Sequence, residues 1–396
     1  MRILSISAQK PYETGSGFYL TELVRAWDKI GHSQCVMAGI TKEDNVVLPD
    51  GVDFRPVYYE TDSLPFPVCG MSDEMPYRST RYSDMTPEMV SCFKNAFLSV
   101  VSEAIASFRP DLIICHHIYL LTSFIVQAFP EMKICSICHG TDIRQLKKNP
   151  LERDFIISSI PGLHKIIAES NYLRSEIGRI FDLETDDIPV IGSGYNEEVF
   201  HRMQTEKHDE IRLLYAGKLS NAKGVPNLVR ALDRLSYPSD NLVLTLAGGA
   251  GSDKNINEIN DLVLKSRYRI ELAGKIPQMD LAKLMNECDT FILPSFYESS
   301  PLVIAEAMAC GAKIVCNDLP GIKSFYDKIV PDNDIVFVEL PGMKNTDEPL
   351  EEDIDSYEQR LADAISESVA KPASFHAGIE NLTWKGIAGA ILSACS

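Results

Sequence analysis

No stretch of the 396 residues strings together 18 apolar side chains, the length a helix needs to cross a bilayer, so no membrane span is expected. The opening, Met1 to Ser7, turns polar too soon for a secretory leader and reads as a first buried strand. Disulfide spacing is missing as well. The ten cysteines are scattered, and Cys35, Cys115, Cys135, Cys288, Cys310 and Cys316 lie in or beside apolar runs, where a free thiol behaves as a small hydrophobe. A reducing, cytoplasmic setting is the expectation. Positive charge is scarce: the net charge is −18, with no basic stripe to offset it. That excludes a nucleic-acid binder and argues against broad docking on anionic lipid, while a local patch leaves peripheral membrane contact open. The hydrophobic share, 45%, is that of an ordinary globular protein, and the length exceeds one core, so two domains are expected.

What the chain does hold is a repeated strand-and-helix rhythm. Apolar runs at 2–7, 35–40, 52–57, 112–115, 133–137 and 165–168 read as strands, with helical stripes such as Leu20, Leu23, Val24 and Trp27 between them. Gly15, Ser16 and Gly17 fall in the loop between the first strand and a helix over 18–30, where backbone N–H groups cradle phosphate or sugar. Leu20 stands where a full G-x-G-x-x-G needs its third glycine, so a simple tight turn competes with that reading. Residues 59–88 break the rhythm with four prolines and carry Arg78 and Arg81, either grips for an anionic acceptor or solvated surface charges. Residues 206–210, charged and coreless, read as a hinge. Strands at 211–216, 242–246, 268–272, 291–293 and 313–316 then rebuild the pattern. An amphipathic helix from about 356 and a last helix from about 380 close the chain.

Two polar clusters mark strand ends: His116 with His117, and Cys138-His139-Gly140-Thr141-Asp142. If their strands are neighbours, these face one another. A zinc site is one reading, but Cys135 and Cys138 are poorly spaced for a knuckle, and alternation along a strand should point His116 and His117 apart. Asp332-Asn333-Asp334 has a metal-binding look in an acidic loop where chance supplies such pairs. No metal ligand is assigned.

The stretch 289–316 organises the rest. Phe291, Ile292 and Leu293 make a buried strand that stops at Pro294, and Pro301 is placed to begin a helix ending at Gly311. Glu298 is thus left in a loop at the carboxyl end of a strand and Glu306 on the next helix, the edge where open α/β sheets bind ligands. Lys218 and Lys223 flank the start of another helix, where two positive charges add to the dipole and suit a diphosphate.

Glu298 and Glu306, with seven residues between them and Glu306-Ala307-Met308-Ala309-Cys310-Gly311 following, resemble the signature of the large retaining glycosyltransferase family that includes bacterial glycogen synthase, the phosphatidylinositol mannosyltransferases and the glucosaminyl-malate synthase of bacillithiol biosynthesis. The likeness covers the whole chain in architecture and rests on residues 15–17, 139–142, 217–224 and 298–311. Gly15-Ser16-Gly17 and His139-Gly140-Thr141-Asp142-Ile143 look most like the glucosaminyl-malate synthase group. Lys218 stands where the family usually has arginine, which keeps the charge without the bidentate fork. Ser193 and Asn196 replace the asparagine and aspartate usual in the passage into the second domain.

The resemblance implies an α/β chain of two doubly wound Rossmann-like domains facing across a cleft, the GT-B arrangement. Residues 1–205 would bind the acceptor and 206–372 the nucleotide sugar, with a helix in 373–396 packing back on the first. It implies transfer of a sugar from a UDP- or GDP-sugar to a small-molecule, glycan or lipid-linked hydroxyl, with retention and without metal. In that scheme Gly15 and Gly17 meet the donor phosphates and acceptor, and Lys218 and Lys223 hold the diphosphate. Ile276 walls the nucleobase, and the helix start at Ser299, Ser300 and Leu302 offers backbone N–H groups. Glu306 takes the ribose, and Glu298 and His139 contact the transferred sugar. A nucleotide-sugar epimerase or phosphorylase of the same fold, and a non-catalytic nucleotide-sugar binder, are the alternatives.

Overall fold

Short runs of Ile, Leu, Val and Cys build one parallel sheet in each half of the chain, because strands covered on both faces favour continuous apolar sequence. The computed structural model describes residues 1–396 apart from 73, 74, 207, 250–252, 299, 300, 346 and 373–376, and only the backbone of 253–255. Two units result: Met1–Ser193 with Trp384–Ser396, and Gly194–Thr383.

The first unit contains β1 (Arg2–Ser7), β2 (Ser33–Ile40), β3 (Asp53–Tyr58), β4 (Cys69–Gly70), β5 (Thr80–Arg81), β6 (Leu112–His116), β7 (Ile134–Cys138) and β8 (Lys165–Ala168). Its helices are α1 (Gly15–Lys29), α2 (Pro87–Phe108), α3 (Leu120–Ala128), α4 (Thr141–Lys148), α5 (Arg153–Ser159) and α6 (Asn171–Phe181). The main sheet runs β3-β2-β1-β6-β7-β8, while β4 and β5 pair separately. Ile3 lies beside Gln34 on one side and Leu112 on the other. Strand order therefore reverses between β1 and β6, the crevice where doubly wound sheets bind ligands.

By length and composition α2 is apolar enough to cross a membrane. Val90, Phe93, Phe97, Val101, Ala104 and Phe108 are nonetheless buried, so one face of α2 packs into the core of this unit.

The second unit repeats the plan with β9 (Ile211–Ala216), β10 (Leu242–Ala247), β11 (Arg269–Gly274), β12 (Thr290–Leu293), β13 (Lys313–Asn317) and β14 (Val336–Val338). Between and after them come α7 (Val225–Leu232), α8 (Asp253–Lys265), α9 (Gln278–Glu287), α10 (Leu302–Cys310), α11 (Ile322–Ile329) and α12 (Ile354–Ala370). The order is β11-β10-β9-β12-β13-β14, with the reversal between β9 and β12. The closing helix α13 (Trp384–Ala394) joins the first unit. There the Trp27 indole donates to the Ala388 carbonyl at 3.2 Å, and Tyr19 meets Trp384 edge to face at 5.0 Å.

Three expectations need correction. Gly15 and Gly17 are not in a loop. Thr14 caps α1 by accepting from the Gly17 N–H, so the helix begins at Gly15 and both glycines lie in its first turn. Pro301 is the N-cap of α10 rather than its first residue. A sixth strand, β14, closes the second sheet beside β13, too short and too near the acidic loop to show a pattern of its own.

Candidate active site

At the carboxyl edge of the first sheet the loops after β1, β6, β7 and β8 converge. His139 follows β7. Its Nδ1 lies 2.6 Å from Glu169 Oε1, just past β8, and its Nε2 lies 3.1 Å from Nδ1 of His116, the last residue of β6. The His116 and His139 rings are nearly parallel, 6° apart. His117 has φ +75°. That left-handed turn breaks the alternation expected along a strand, so His117 and His116 both meet His139 instead of pointing apart. His117 Nε2 reaches Ser16 Oγ at 3.0 Å and Gln9 Oε1 at 3.3 Å.

Asp142 anchors the cluster. It accepts from the N–H groups of Ile118 and His139 through one oxygen, and from the Cys138 thiol and the Ile143 N–H through the other. Burial disfavours its charge, yet His117, whose Nδ1 lies 3.7 Å away, with His139 and the Cys138 thiol, outweighs this and holds it at about 2. Burial, then the charge of Asp142, pushes Glu169 up to about 8. Burial, then the charge of His117, lowers His139 to about 3, and burial also keeps His116 far below its usual range. The 2.6 Å Glu169–His139 contact has the spacing of an ion pair, but charge is disfavoured on both partners. We therefore read it as a neutral acid bonded to a neutral imidazole.

The two glycines divide in role. A Cβ on Gly17 would sit 2.5 Å from the Lys10 carbonyl, so Gly17 is needed for packing, whereas Gly15 faces open space. Arg78 pairs with Glu60 at 3.3 Å and is exposed, as is Arg81.

In the second unit the loops after β9 and β12 meet backbone to backbone. Gly224 has φ +66°, and a Cβ there would lie 2.0 Å from the Pro294 carbonyl. The Phe296 N–H donates to the Ala222 carbonyl, and Asn317 and Tyr357 tie down Pro294 and Ser295 from beneath. This approach sets Lys223 Nζ 2.8 Å from Glu298 Oε1 and 3.3 Å from the Tyr297 carbonyl. Lys218 is exposed; its carbonyl accepts from the Tyr215 hydroxyl at 2.8 Å, which steadies the loop. Ile276 and Leu302 are half-buried. Ser299 and Ser300 lie outside the described residues. Glu306 is buried on α10, and burial pushes its carboxyl up to about 7.

Two cavities, of about 270 and 310 Å³, lie elsewhere in this unit, near the starts of β9 and β11. Arg212 and Arg269 there are already matched by Glu210, Glu271 and Glu287. Lys223 and Glu298 lie at the opposite edge of this sheet, in the loops after β9 and β12. Among the described residues no group of three His, Cys, Asp or Glu is arranged for a metal ion.

Sequence reasoning missed Glu169, Gln9 and Tyr215. Glu169 had a signal: it is a carboxylate at the carboxyl end of a buried strand, the same edge on which Glu298 was singled out.

Comparison with known proteins gives this architecture a class. Residues 14–199 match the family model described as Glycosyltransferase Family 4, and residues 196–333 that described as Glycosyl transferases group 1. HepE from Anabaena, solved in complex with UDP, superposes over 99% of both chains with a TM-score of 0.62 at 15% identity. The chain is a glycosyltransferase of the two-domain GT-B fold. Within that class it is related to the family of glycogen synthase and α-maltose-1-phosphate synthase. It is 25% identical to the latter from Mycobacterium tuberculosis over 277 residues, 62% of this chain and 68% of that protein. An uncharacterized glycosyltransferase of Methanocaldococcus jannaschii is 29% identical over 170 residues, 40% of this chain and 43% of the relative. These matched segments thus span from under half to about two thirds of the relatives' own lengths.

Proposed function

We propose that the protein moves a sugar from a UDP- or GDP-sugar to a hydroxyl of a small-molecule, glycan or lipid-linked acceptor, with retention of anomeric configuration. The second unit binds the donor and the first the acceptor. The observation that carries this reading is the pairing of Lys223 with Glu298 at 2.8 Å where the second sheet reverses its strand order, with Glu306 buried on the next helix.

In this reading Lys223 and the exposed Lys218 take the diphosphate, neutralising the leaving group as the sugar–phosphate bond breaks. Glu306 accepts from the ribose hydroxyls. Glu298, released from Lys223 or shared with it, orients the hydroxyls of the transferred sugar. Ile276, Ser299, Ser300 and Leu302 complete the donor site. In the first unit Gly15 leaves room for the substrate, and His139 contacts the sugar. Two lysines supply the charge that a divalent ion supplies in other transferases, so transfer runs without metal. The ten free cysteines favour a reducing, cytoplasmic setting, with any membrane contact peripheral.

The test is a turnover screen of nucleotide sugars crossed with hydroxyl acceptors. Release of nucleoside diphosphate with a new glycoside is the expected result. An isomerised sugar still on its nucleotide would identify an epimerase, and a sugar 1-phosphate a phosphorylase. Tight nucleotide-sugar binding without product would identify a binder.

A further inference from the structure

His139, Glu169 and His116 occupy the carboxyl ends of three adjacent strands, β7, β8 and β6. Both ring nitrogens of His139 are engaged: Nδ1 by Glu169 at 2.6 Å and Nε2 by His116 at 3.1 Å. An imidazole held at both ends has two neutral arrangements. If Glu169 donates, Nδ1 is an acceptor, the ring proton sits on Nε2, and His139 is a donor on its other side. If Glu169 accepts, the reverse holds.

We propose that Glu169 is a positioning residue: as a neutral acid it donates to His139 Nδ1 and holds the ring in the Nε2–H form, so that His139 offers a donor, and not a lone pair, to a sugar hydroxyl. The inference rests on the reading that His139 contacts the transferred sugar. Three observations support it. Both side chains are buried, 5% and 9% exposed, so charge on either is costly. The groups facing Glu169 are His139, His117, Asp142, Cys138 and the Tyr19 hydroxyl, and the nearby ionised carboxylate of Asp142 opposes a second negative charge. Burial first and Asp142 second push its carboxyl up to about 8, against a smaller opposing effect of His117. Finally, the far end of the chain is open: His116 Nε2 is buried without a hydrogen-bond partner among the described residues. His116 therefore holds the Nε2–H of His139 without a competing demand on its own ring, and a ligand hydroxyl can take that bond over.

The experiment is nitrogen NMR of the uniformly labelled full chain, with His139→Gln used only to assign the signals, alongside kcat and KM across about pH 6 to 9. Wild type should show His139 with Nε2 protonated near neutral pH, the tautomer swapping as pH rises through the Glu169 titration, and kcat falling with the swap. Glu169→Gln, whose amide also donates to Nδ1, should keep the tautomer, retain kcat within a few-fold at neutral pH, and lose the alkaline swap. Glu169→Ala should lower kcat about tenfold or more while the donor KM stays nearly constant. A doubly protonated or Nδ1–H His139 in wild type at neutral pH would overturn the proposal. So would an alkaline swap persisting in Glu169→Gln, or a kcat indifferent to Glu169→Ala. Failure of every nucleotide sugar to turn over would count against sugar transfer itself, and the tautomer and its response to Glu169→Gln would then decide this inference alone.

Discussion

Glu306 offers a quantitative test of the donor site, because its environment already sets the magnitude. In the free protein burial raises its carboxyl to about 7, so near neutral pH roughly half the molecules carry the proton. Ribose hydroxyls donate hydrogen bonds and favour the ionised form, so a bound nucleotide lowers this pKa. The sign follows: affinity is constant above the free value and falls as pH drops through it. At about pH 6 only about one free molecule in ten is ionised, so binding weakens about tenfold, or about 1.4 kcal/mol. The decline ends where the bound-state value is reached. If the hydrogen bonds restore an ordinary glutamate at about 4.3, the full window is about 3.7 kcal/mol. The β-phosphate of a nucleoside diphosphate itself titrates near pH 6, so wild type must be compared with Glu306→Gln, in which the ligand's contribution is identical. Calorimetric titration of UDP and GDP near pH 6, 7 and 8, in buffers of different ionisation enthalpy, reads both affinity and protons released. The wild type should release about half a proton more than Glu306→Gln at pH 7 and show the steeper pH dependence. At pH 8 the mutant should bind more weakly by about 1.5–3 kcal/mol, the value of a hydrogen bond to a charged group. Equal pH slopes and equal proton release in the two proteins would remove Glu306 from the nucleotide's contacts.

Lys223→Ala should weaken nucleoside diphosphate binding far more than binding of the bare nucleoside, by about 2 kcal/mol or more, because it also leaves the Glu298 carboxylate unpaired beside the phosphates. Adding Glu298→Gln should recover part of that loss in a double-mutant cycle, and strict additivity would deny the pair a common role. Gly224→Ala combines a left-handed φ with a Cβ 2.0 Å from the Pro294 carbonyl, so calorimetric melting should show a loss of several kcal/mol, or no folded second unit. An unchanged melting temperature would mean the two loops separate easily. Transfer should persist in excess chelator; activity lost to chelator and restored by a divalent ion would replace the two-lysine scheme with a metal one.

How much of this was legible depends on which forces set each feature. The edges of β1, β8 and β9 read off to the residue, since each is an apolar run bounded by polar or turn-forming neighbours, and burial alone decides it. The start of α1 did not, because two glycines argue against helix while a single Thr14 hydroxyl, bonded to the Gly17 N–H, decides for it. Lys223 and Glu298 were singled out separately by loop position and family likeness. Their contact depends on the close approach of Gly224 to Pro294, a tertiary fact that neither stretch carries alone.

The histidine cluster marks the limit more sharply. That the two polar clusters would face one another followed if their strands were neighbours, and β6 does lie beside β7. That His117 would meet His139 together with His116 did not, since a non-glycine residue at φ +75° carries a steric cost no local pattern announces. The cost is offset by bonds on both sides of the residue: its N–H donates to the Ile137 carbonyl at 2.9 Å, and its carbonyl accepts from the Thr122 hydroxyl at 2.5 Å. Thr122 is close by, in the first turn of α3, but Ile137 lies on β7, twenty residues further on, so the turn is completed only once β6 and β7 are side by side. Once it is made, the ring of His117 lies against Ser16 and His139, and its Nδ1 comes within 3.7 Å of Asp142, whose carboxyl it helps to hold down. The ionised Asp142 in turn helps keep Glu169 neutral. A single strained turn at the end of β6 thereby bears on the proton that decides whether His139 gives or receives a hydrogen bond.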